Sequence, residues 1–243
     1  MRILVMSDIH ANYNALEAVL KDAGEVDETW CLGDLVGYGP DPNAVVEEMR
    51  EIKNLTCLMG NHDVAVVGRM SLETFNGDAK RSLMYHEQVL SASNMDFIKS
   101  LPAKLKVRSG ATIVHGSPRD PLWEYILNST TASLNFNHFE TDWCFVGHTH
   151  IQCSFTLKNN SDWVTAEYAK PDAALPLHPK LILNPGSVGQ PRDRDPRAAY
   201  AIYDTEALTW TPKRVPYNFA EVQQRIRAAG LPEKHAVRIG EGW

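Results

Sequence analysis

The chain has 243 residues, of which 44% are hydrophobic and 22% are charged, and its formal net charge is −6. This composition excludes a disordered chain, a collagen-like fibre and a disulfide mini-protein. The acidic balance, without a basic block, argues against nucleic acid or an anionic membrane surface as the main partner, although it allows a local basic pocket.

The lack of a recognisable targeting signal and the pattern of cysteines predict a cytoplasmic protein. The apolar run that begins at Ile3 stops at Ser7, short of the roughly 7–15 residues of a signal-peptide core. No run reaches the ~20 residues that span a bilayer. The 4 cysteines form no Cys-x-x-Cys pair, so we expect buried reduced thiols rather than a structural zinc site.

The first sixty residues alternate short apolar runs with amphipathic segments. Strands are predicted at residues 2–6, 29–32 and 55–59. Asn12 and Asp41 are the expected N-caps of the two intervening helices, the second of which has a proline at its first position. This β-α-β-α-β order predicts a parallel sheet whose strand carboxyl ends meet at one edge.

The rest of the chain is predicted to form helices followed by mainly antiparallel strands. Helical patterning covers residues 76–91, 93–101 and 218–229, and Ser109-Gly110 is a hairpin signal. Further strands are predicted at 104–107, 111–114, 143–146, 151–157, 162–168, 180–183, 198–203 and 208–215. We expect a loosely ordered tail after Pro232. The absence of repeats and linkers predicts one domain, 1–243, with a small insertion at 117–140.

Five predicted strands end in side chains that can bind metal. These corners are Asp8-Ile9-His10, Gly33-Asp34, Gly60-Asn61-His62-Asp63, His115-Gly116 and Gly147-His148-Thr149-His150. Because strand carboxyl ends face a common crevice, we expect these side chains to converge. Mixed Asp, His and Asn donors suit Mn, Fe, Zn, Co or Ni better than Ca or Mg. Asp34 stands alone at its corner, and its two oxygens make it the natural bridge between two cations.

The ordered set Asp-x-His, Gly-Asp, Gly-Asn-His, His and Gly-His-x-His resembles the calcineurin-like metallophosphoesterase superfamily. Residues 33–40 and 184–192 resemble motifs of its small bacterial and archaeal phosphoesterases. The resemblance implies an α/β fold, a four-layer α/β/β/α sandwich of two mixed sheets flanked by helices. It also implies hydrolysis of small phosphomonoesters, phosphodiesters or nucleotide phosphoanhydrides by a hydroxide that bridges two divalent metal ions.

The resemblance also assigns roles by motif position. One metal would be held by Asp8, His10 and His150, the other by Asn61, His115 and His148, with Asp34 bridging them. His62 would be the general acid that protonates the leaving group. The expected substrate-binding residues are Asn61, Tyr38, Arg119 and Arg192; the two arginines are chosen for their positions after Gly189 and His115, and surface ion pairs are the alternative for both.

One departure from the family concerns the Gly-Asp motif. In the phosphoprotein phosphatase branch, the motif continues to an Asp that supports the catalytic histidine and an Arg that grips phosphate, whereas this chain has Gly37 and Tyr38. Asp63 is a poor replacement, because the side chains of adjacent residues such as His62 and Asp63 diverge. We therefore expect aryl and nucleotide leaving groups to be favoured over phosphoserine. We also expect Gly37→Asp to help poor leaving groups, given space for the new side chain.

Two other functional classes stay open. A non-catalytic metal-binding scaffold on the same fold would be expected to lose His62 or several ligands, all of which are present. A recombination-repair type of nuclease would carry basic surfaces that this acidic chain lacks. Four aromatic residues of the insertion either cap the site and stack on a nucleobase or latch the insertion onto the core: Trp123, Tyr125, Phe136 and Phe139.

Overall fold

The computed structural model describes residues 1–107, 110–158 and 163–243. Its strands are β1 Arg2–Met6, β2 Glu28–Cys31, β3 Leu55–Cys57, β4 Lys104–Lys106, β5 Ala111–Val114, β6 Trp143–Phe145, β7 Gln152–Leu157, β8 Val164–Tyr168, β9 Leu175–Pro176, β10 Leu181–Pro185, β11 Ala198–Asp204 and β12 Thr209–Val215. Its helices are α1 Tyr13–Ala23, α2 Pro42–Glu51, α3 Asn61–Val66, α4 Gly77–Val89, α5 Ala92–Ser100, α6 Ser129–Asn135, α7 Phe219–Ala228 and α8 Glu233–Glu241. Short 3₁₀ turns occupy Leu72–Thr74 and Phe136–His138.

The strands form two six-stranded mixed sheets. The first has the order β3-β2-β1-β11-β12-β9, and its β1, β2 and β3 are parallel as predicted. The second has the order β4-β5-β6-β10-β7-β8, in which β5, β6 and β10 are parallel and the other pairs antiparallel. Both sheets therefore gather several strand carboxyl ends.

Alternation along each strand sends neighbouring side chains to different layers. In β1, Ile3 and Val5 pack between the sheets, whereas Leu4 and Met6 pack with residues of α1 and α2. In the second sheet, Phe145 joins the layer between the sheets, and Cys144 packs with residues of α6. The order is helices, sheet, sheet, helix, which confirms the expected four-layer sandwich.

Local signals account for the first two helices. The side chain of Asn12 accepts a hydrogen bond from the N–H of Ala15 at 3.2 Å and caps α1 as predicted. Asp41 lies at the N-cap position of α2, but its side chain makes no capping hydrogen bond. It instead pairs with Arg225 of α7 at 2.8 Å, which ties the closing helices to this side of the sandwich.

The expectation of a loosely ordered tail after Pro232 is wrong, because these residues form α8. His235, Ala236 and Ile239 are buried at helical spacing, and the last two pack with residues of α7 such as Ile226. The tail thus has an apolar stripe that the preceding helix covers.

The other differences are local. Helix α3 and strand β9 are additional elements that the sequence patterns did not predict. Ser109, in the predicted hairpin signal, and Asp162, the first residue of a predicted strand, lie outside the described residues. All four cysteines are buried free thiols, as expected. Among the described residues, no helix combines the length and hydropathy that a membrane crossing needs.

The aromatic cluster between the sheets predicts a large loss of stability on truncation. The ring of Phe145 lies 5.5 Å from those of Trp30 and Tyr203 and 5.3 Å from that of Trp210. Phe145→Ala should lower the free energy of unfolding by about 3–5 kcal/mol, measured by urea denaturation. Leu134→Ala is the control, because Leu134 is 51% exposed and its truncation should change stability by less than about 0.5 kcal/mol. Equal losses for both variants would contradict the assigned core.

Candidate metal centre

The polar corners of both sheets meet at one edge of the sandwich. The side chains that converge there are each at most 3% exposed: Asp8, His10, Asp34, Asn61, His62, His115, His148 and His150. The structure thus brings together all the residues for which the sequence predicts metal binding, together with His62. Burying so many charged and polar groups is costly unless they bind one another or a metal.

The first group of donors consists of Asp8, His10 and His150. The Nε2 atoms of the two histidines are 3.1 Å apart. Asp8 Oδ1 lies 3.4 Å from His150 Nε2 and 3.9 Å from His10 Nε2. This oxygen is buried and has no hydrogen-bond donor. An unpartnered carboxylate oxygen facing two imidazole nitrogens fits a divalent cation.

The second group consists of Asn61, His115 and His148. His115 Nε2 lies 3.1 Å from Asn61 Oδ1 and 3.2 Å from His148 Nδ1. Ligand atoms of His115, His148 and Asp34 all lie within 4.8 Å of one another. One oxygen and two imidazole nitrogens again form a donor set suited to a borderline divalent metal.

Asp34 lies between the two groups. Its Oδ2 is 3.6 Å from His10 Nε2 in the first group and 3.4 Å from His115 Nε2 in the second. Its Oδ1 accepts the backbone N–H of His62 at 2.9 Å, which fixes the carboxylate. A Cβ at Gly60 would overlap this same oxygen, so only glycine allows the β3 corner to approach.

Backbone carbonyls orient most of the imidazoles. Their Nδ1 atoms bind as follows: His10 to Val36 O at 2.8 Å, His115 to Leu32 O at 3.1 Å, and His150 to Gln190 O at 2.6 Å. Because each carbonyl needs a proton on Nδ1, the neutral ring presents its Nε2 lone pair to the cluster. His148 is reversed, with Nδ1 toward the cluster and its ring stacked on Tyr125 at 3.8 Å.

The backbone at these corners is strained. Asp8, His10, Asp34, His148 and His150 have φ values of 55°, 50°, 57°, 64° and 60°. Non-glycine residues rarely adopt this left-handed region, and such strain concentrates at functional sites. The rigid sandwich holds the ligand corners in conformations that would be unfavourable on their own.

One imidazole of the cluster carries a proton at neutral pH. Burial lowers the pKa of both His10 and His148 to about 3, so these rings are neutral. Burial also acts to lower the pKa of His115, but the carboxylates of Asp34 and Asp8 outweigh it and raise this pKa to about 9. Burial would raise the pKa of Asp34, yet His115 and His62 hold it well below its usual value. At neutral pH, protonated His115 thus occupies the place that a cation would take.

His62 lies beside the cluster and is held by a phenol. Its Nε2 is 3.1 Å from Tyr38 Oη, which accepts a hydrogen bond from Arg192 Nη2 at 3.3 Å. A Cβ at Gly37 would overlap Nδ1 of His62, and Gly37 has a φ of 93°. The condition set for Gly37→Asp, space for the new side chain, is therefore not met, because the imidazole of His62 occupies that space.

Asp63 faces away from His62, as expected. Its carboxylate accepts backbone N–H groups from Gly60 at 3.0 Å and from Leu35 and Val36 at 3.2 Å. It therefore holds the β2 and β3 corners together rather than supporting the imidazole.

The four predicted substrate-binding residues fall into two sets. Asn61, Tyr38 and Arg192 lie at the cluster or beside His62. Arg119 does not join them: its guanidinium forms an ion pair with Glu124, and its side chain is 40% exposed. Local pairing within the insertion explains this position.

The insertion divides in a similar way. Trp123 and Tyr125 lie near His148, with ring centroids 6.3 Å and 3.8 Å from it, whereas Phe136 and Phe139 join the apolar cluster under α6. Trp123 and Tyr125 thus lie beside the donor cluster, whereas Phe136 and Phe139 anchor the segment to the core.

Sequence reasoning did not identify two neighbours of the site. Phe75 packs 4.9 Å from the ring of His62 and 5.1 Å from that of Trp123. His235 of α8 lies 5.0 Å from the ring of Tyr38. The helical spacing of His235, Ala236 and Ile239 is the signal that would have predicted α8, but no local pattern indicates which surface it covers.

Two facing mixed sheets with Asp and His corners at one edge define a metal-dependent phosphoesterase architecture. The family model described as the calcineurin-like phosphoesterase superfamily domain matches residues 1–208, so the chain belongs to that superfamily. This confirms the resemblance found in the sequence and supports a phosphoric ester hydrolase that binds divalent metal.

Three known proteins illustrate the relationship. The crystal structure of a metallophosphoesterase from Sphaerobacter thermophilus has a TM-score of 0.90 and 44% identity, and covers 100% of this chain and 99% of that chain. An uncharacterized protein of Methanocaldococcus jannaschii is 35% identical over 237 residues, 95% of this chain and 94% of the relative. A symmetrical bis(5′-nucleosyl)-tetraphosphatase of Erwinia tasmaniensis is 37% identical over 68 residues, 26% of this chain and 25% of the relative.

The proton on His115 predicts pH-dependent metal binding. Because a metal bound at the second group would displace this proton, Mn²⁺ affinity should weaken about tenfold per unit as the pH falls from about 8 to 7, and more steeply below the Asp8 pKa of about 7. Calorimetry in two buffers of different ionisation enthalpy should detect about one proton released per chain near pH 8, and almost none well above the His115 pKa of about 9. An affinity independent of pH over this range would contradict the assignment.

Proposed function

We propose that this protein is a binuclear metal-dependent phosphoesterase that hydrolyses phosphate esters or phosphoanhydrides of small substrates, nucleotides among them. The observation that carries this proposal is the position of Asp34 Oδ2, 3.6 Å from His10 Nε2 on one side and 3.4 Å from His115 Nε2 on the other. A carboxylate between two donor sets of mixed Asn, Asp and His is suited to two adjacent cations.

The donor sets fit two divalent ions. Asp8, His10 and His150 would hold one, Asn61, His115 and His148 the other, and Asp34 would bridge them. Mn, Fe, Zn, Co and Ni match these nitrogen and oxygen donors. When bound, two such ions lower the pKa of a water between them and neutralise the charge of phosphoryl oxygens.

The chain's own residues would orient the substrate and handle the proton. His62 would protonate the departing oxygen, and the phenol of Tyr38 fixes its imidazole from 3.1 Å. Arg192 donates a hydrogen bond to Tyr38 and would bind a phosphoryl oxygen, because a guanidinium has several N–H donors in a fixed planar arrangement. Tyr38 thus contacts His62 at Nε2, whereas Nδ1, on the side of Gly37 where the phosphoprotein branch has its carboxylate, is buried without a hydrogen-bond partner.

A neutral phenol supports an imidazolium less than a carboxylate does. Protonation of a strongly basic alkoxide should therefore be inefficient, and leaving groups that need little protonation should be favoured. The relatives described as symmetrical bis(5′-nucleosyl)-tetraphosphatases support a nucleotide substrate. So do Trp123 and Tyr125, which would cap the site and offer rings to a base.

The bridge can be tested with Asp34→Asn. Removing one negative charge shared by both ions should lower metal content from about two ions to one or fewer and reduce activity more than His10→Asn does. The control is Asp96→Asn, since Asp96 has a 75% exposed side chain and pairs only with a surface lysine. Full metal content in Asp34→Asn would refute the bridge.

The acid can be tested with His62→Asn. The variant should keep its metals, while turnover of alkyl phosphates falls about 10²–10⁴-fold and that of aryl phosphates falls less. Tyr38→Phe should show the same order of substrates with a smaller loss, whereas Tyr13→Phe, whose hydroxyl donates to Glu48 of α2, should show none. Loss of both metals from His62→Asn would mean that His62 is a ligand rather than the acid.

A further inference from the structure

Helix α8 connects the two loops that flank His62. At its start, the ring of His235 lies 5.0 Å from that of Tyr38. At its end, Gly242 O accepts the N–H of Arg194 at 2.7 Å, two residues beyond Arg192. The intervening turn carries Arg238, whose guanidinium lies over the ring of Trp243 at 5.4 Å and is close enough to Tyr38 and Arg192 for their charges to interact.

Arg192 and Arg238 are arginines without a counter-ion. In the part of the chain that the structure describes, neither forms an ion pair with a carboxylate, whereas Arg214 and Arg225 do. The Nε atoms of Arg192 and Arg238 are both buried and lack a hydrogen-bond partner. Unpaired buried donors on a cation are costly, which indicates that an anion completes this site.

The two guanidinium groups also interact unfavourably with each other. Burial and the charge of Arg192 lower the pKa of Arg238, and the opposite effects of Tyr38 and Asp78 are smaller. An anion between two such groups would relieve this repulsion. Guanidinium forks bind the oxygens of a phosphoryl group with particular strength, because several parallel N–H···O bonds form at once.

The pair lies next to the proposed acid. The backbone N–H of Arg192 donates to His150 O at 3.2 Å, and its Nη2 donates to Tyr38 Oη at 3.3 Å. Tyr38 Oη in turn is 3.1 Å from Nε2 of His62. Tyr38 therefore lies between an anion held by the arginines and His62, the proposed acid.

We propose that Arg238 and Arg192 bind the second phosphoryl group of a phosphoanhydride substrate, which makes Arg238 a specificity-determining residue. The proposal rests on the proposed phosphoesterase function, and it narrows the substrates to compounds with two or more linked phosphoryl groups. Arg238 is only partly buried, so such a substrate can extend to solvent on its side.

The chemistry balances without a further reactant. The oxygen of water forms a bond to the attacked phosphorus, and the bond from that phosphorus to the bridging oxygen breaks. The electron pair stays on the bridging oxygen, which leaves as part of the second phosphate, and the protons of water pass to solvent or to phosphate. The arginines hold the charge that this leaving group gains, which suits a site whose histidine is supported only by a phenol.

The experiment compares ADP with p-nitrophenyl phosphate on the metal-loaded full-length protein. Arg238→Gln should lower kcat/KM for ADP about 10–100-fold more than for p-nitrophenyl phosphate, mainly through KM, because one charge-assisted contact to the second phosphate is lost. Arg227→Gln is the matched control, since Arg227 lies on neighbouring α7, has a 48% exposed side chain and pairs with Glu233. This control should leave the ratio of the two substrates unchanged.

A binding measurement separates this inference from the proposed function. Imidodiphosphate, which has two linked phosphoryl groups, should bind wild type more tightly than inorganic phosphate does, and Arg238→Gln should remove most of that difference. Equal losses on ADP and p-nitrophenyl phosphate, or no loss on either, would overturn the inference. If wild type with both metals hydrolyses neither ester nor anhydride, the proposed function fails, while the imidodiphosphate comparison still tests the arginine site. If Arg238→Gln does not fold, Arg238→Lys replaces it, with the same expected order of substrates.

Discussion

The carboxylate of Asp34 is the interaction on which the site depends. One oxygen faces imidazoles of both donor groups, and the other accepts the backbone N–H of His62. This one side chain therefore contacts both groups of ligands and the residue proposed as the acid. Because Gly60 has no Cβ, the β3 corner can approach this carboxylate. The left-handed backbone conformation of Asp34 directs the carboxylate toward the cluster.

The surrounding fold supplies rigidity to this carboxylate. Two mixed sheets bring their strand ends to one edge, and Asp63 joins the β2 and β3 corners through three backbone N–H groups. Backbone carbonyls orient three of the imidazoles, so little freedom remains to be lost when a metal binds. Helix α8 also packs at this edge and carries Arg238, whose charge interacts with Arg192 and Tyr38.

Local patterns predicted the parallel strands of the first sheet and the set of converging corners, whereas the four-layer sandwich was expected from the resemblance to the superfamily. Strand ends are visible as apolar runs that stop at glycine and polar residues, and the carboxyl ends of parallel strands must meet. Local patterns could not predict contacts between segments that are distant in the sequence. The phenol of Tyr38 on His62 depends on the path of the loop after Gly37, and the contact of His235 with Tyr38 depends on how α8 docks. The pairing of Arg119 with Glu124 depends on rotamers that no spacing reveals.

The most direct test of the account is electron paramagnetic resonance of the protein loaded with increasing Mn²⁺. If Asp34 bridges two ions, the spectrum at two equivalents should show exchange-coupled pairs, and Asp34→Asn should abolish that coupling. Two equivalents of bound Mn²⁺ that give only the six-line spectrum of isolated ions in the wild-type protein would contradict a binuclear centre.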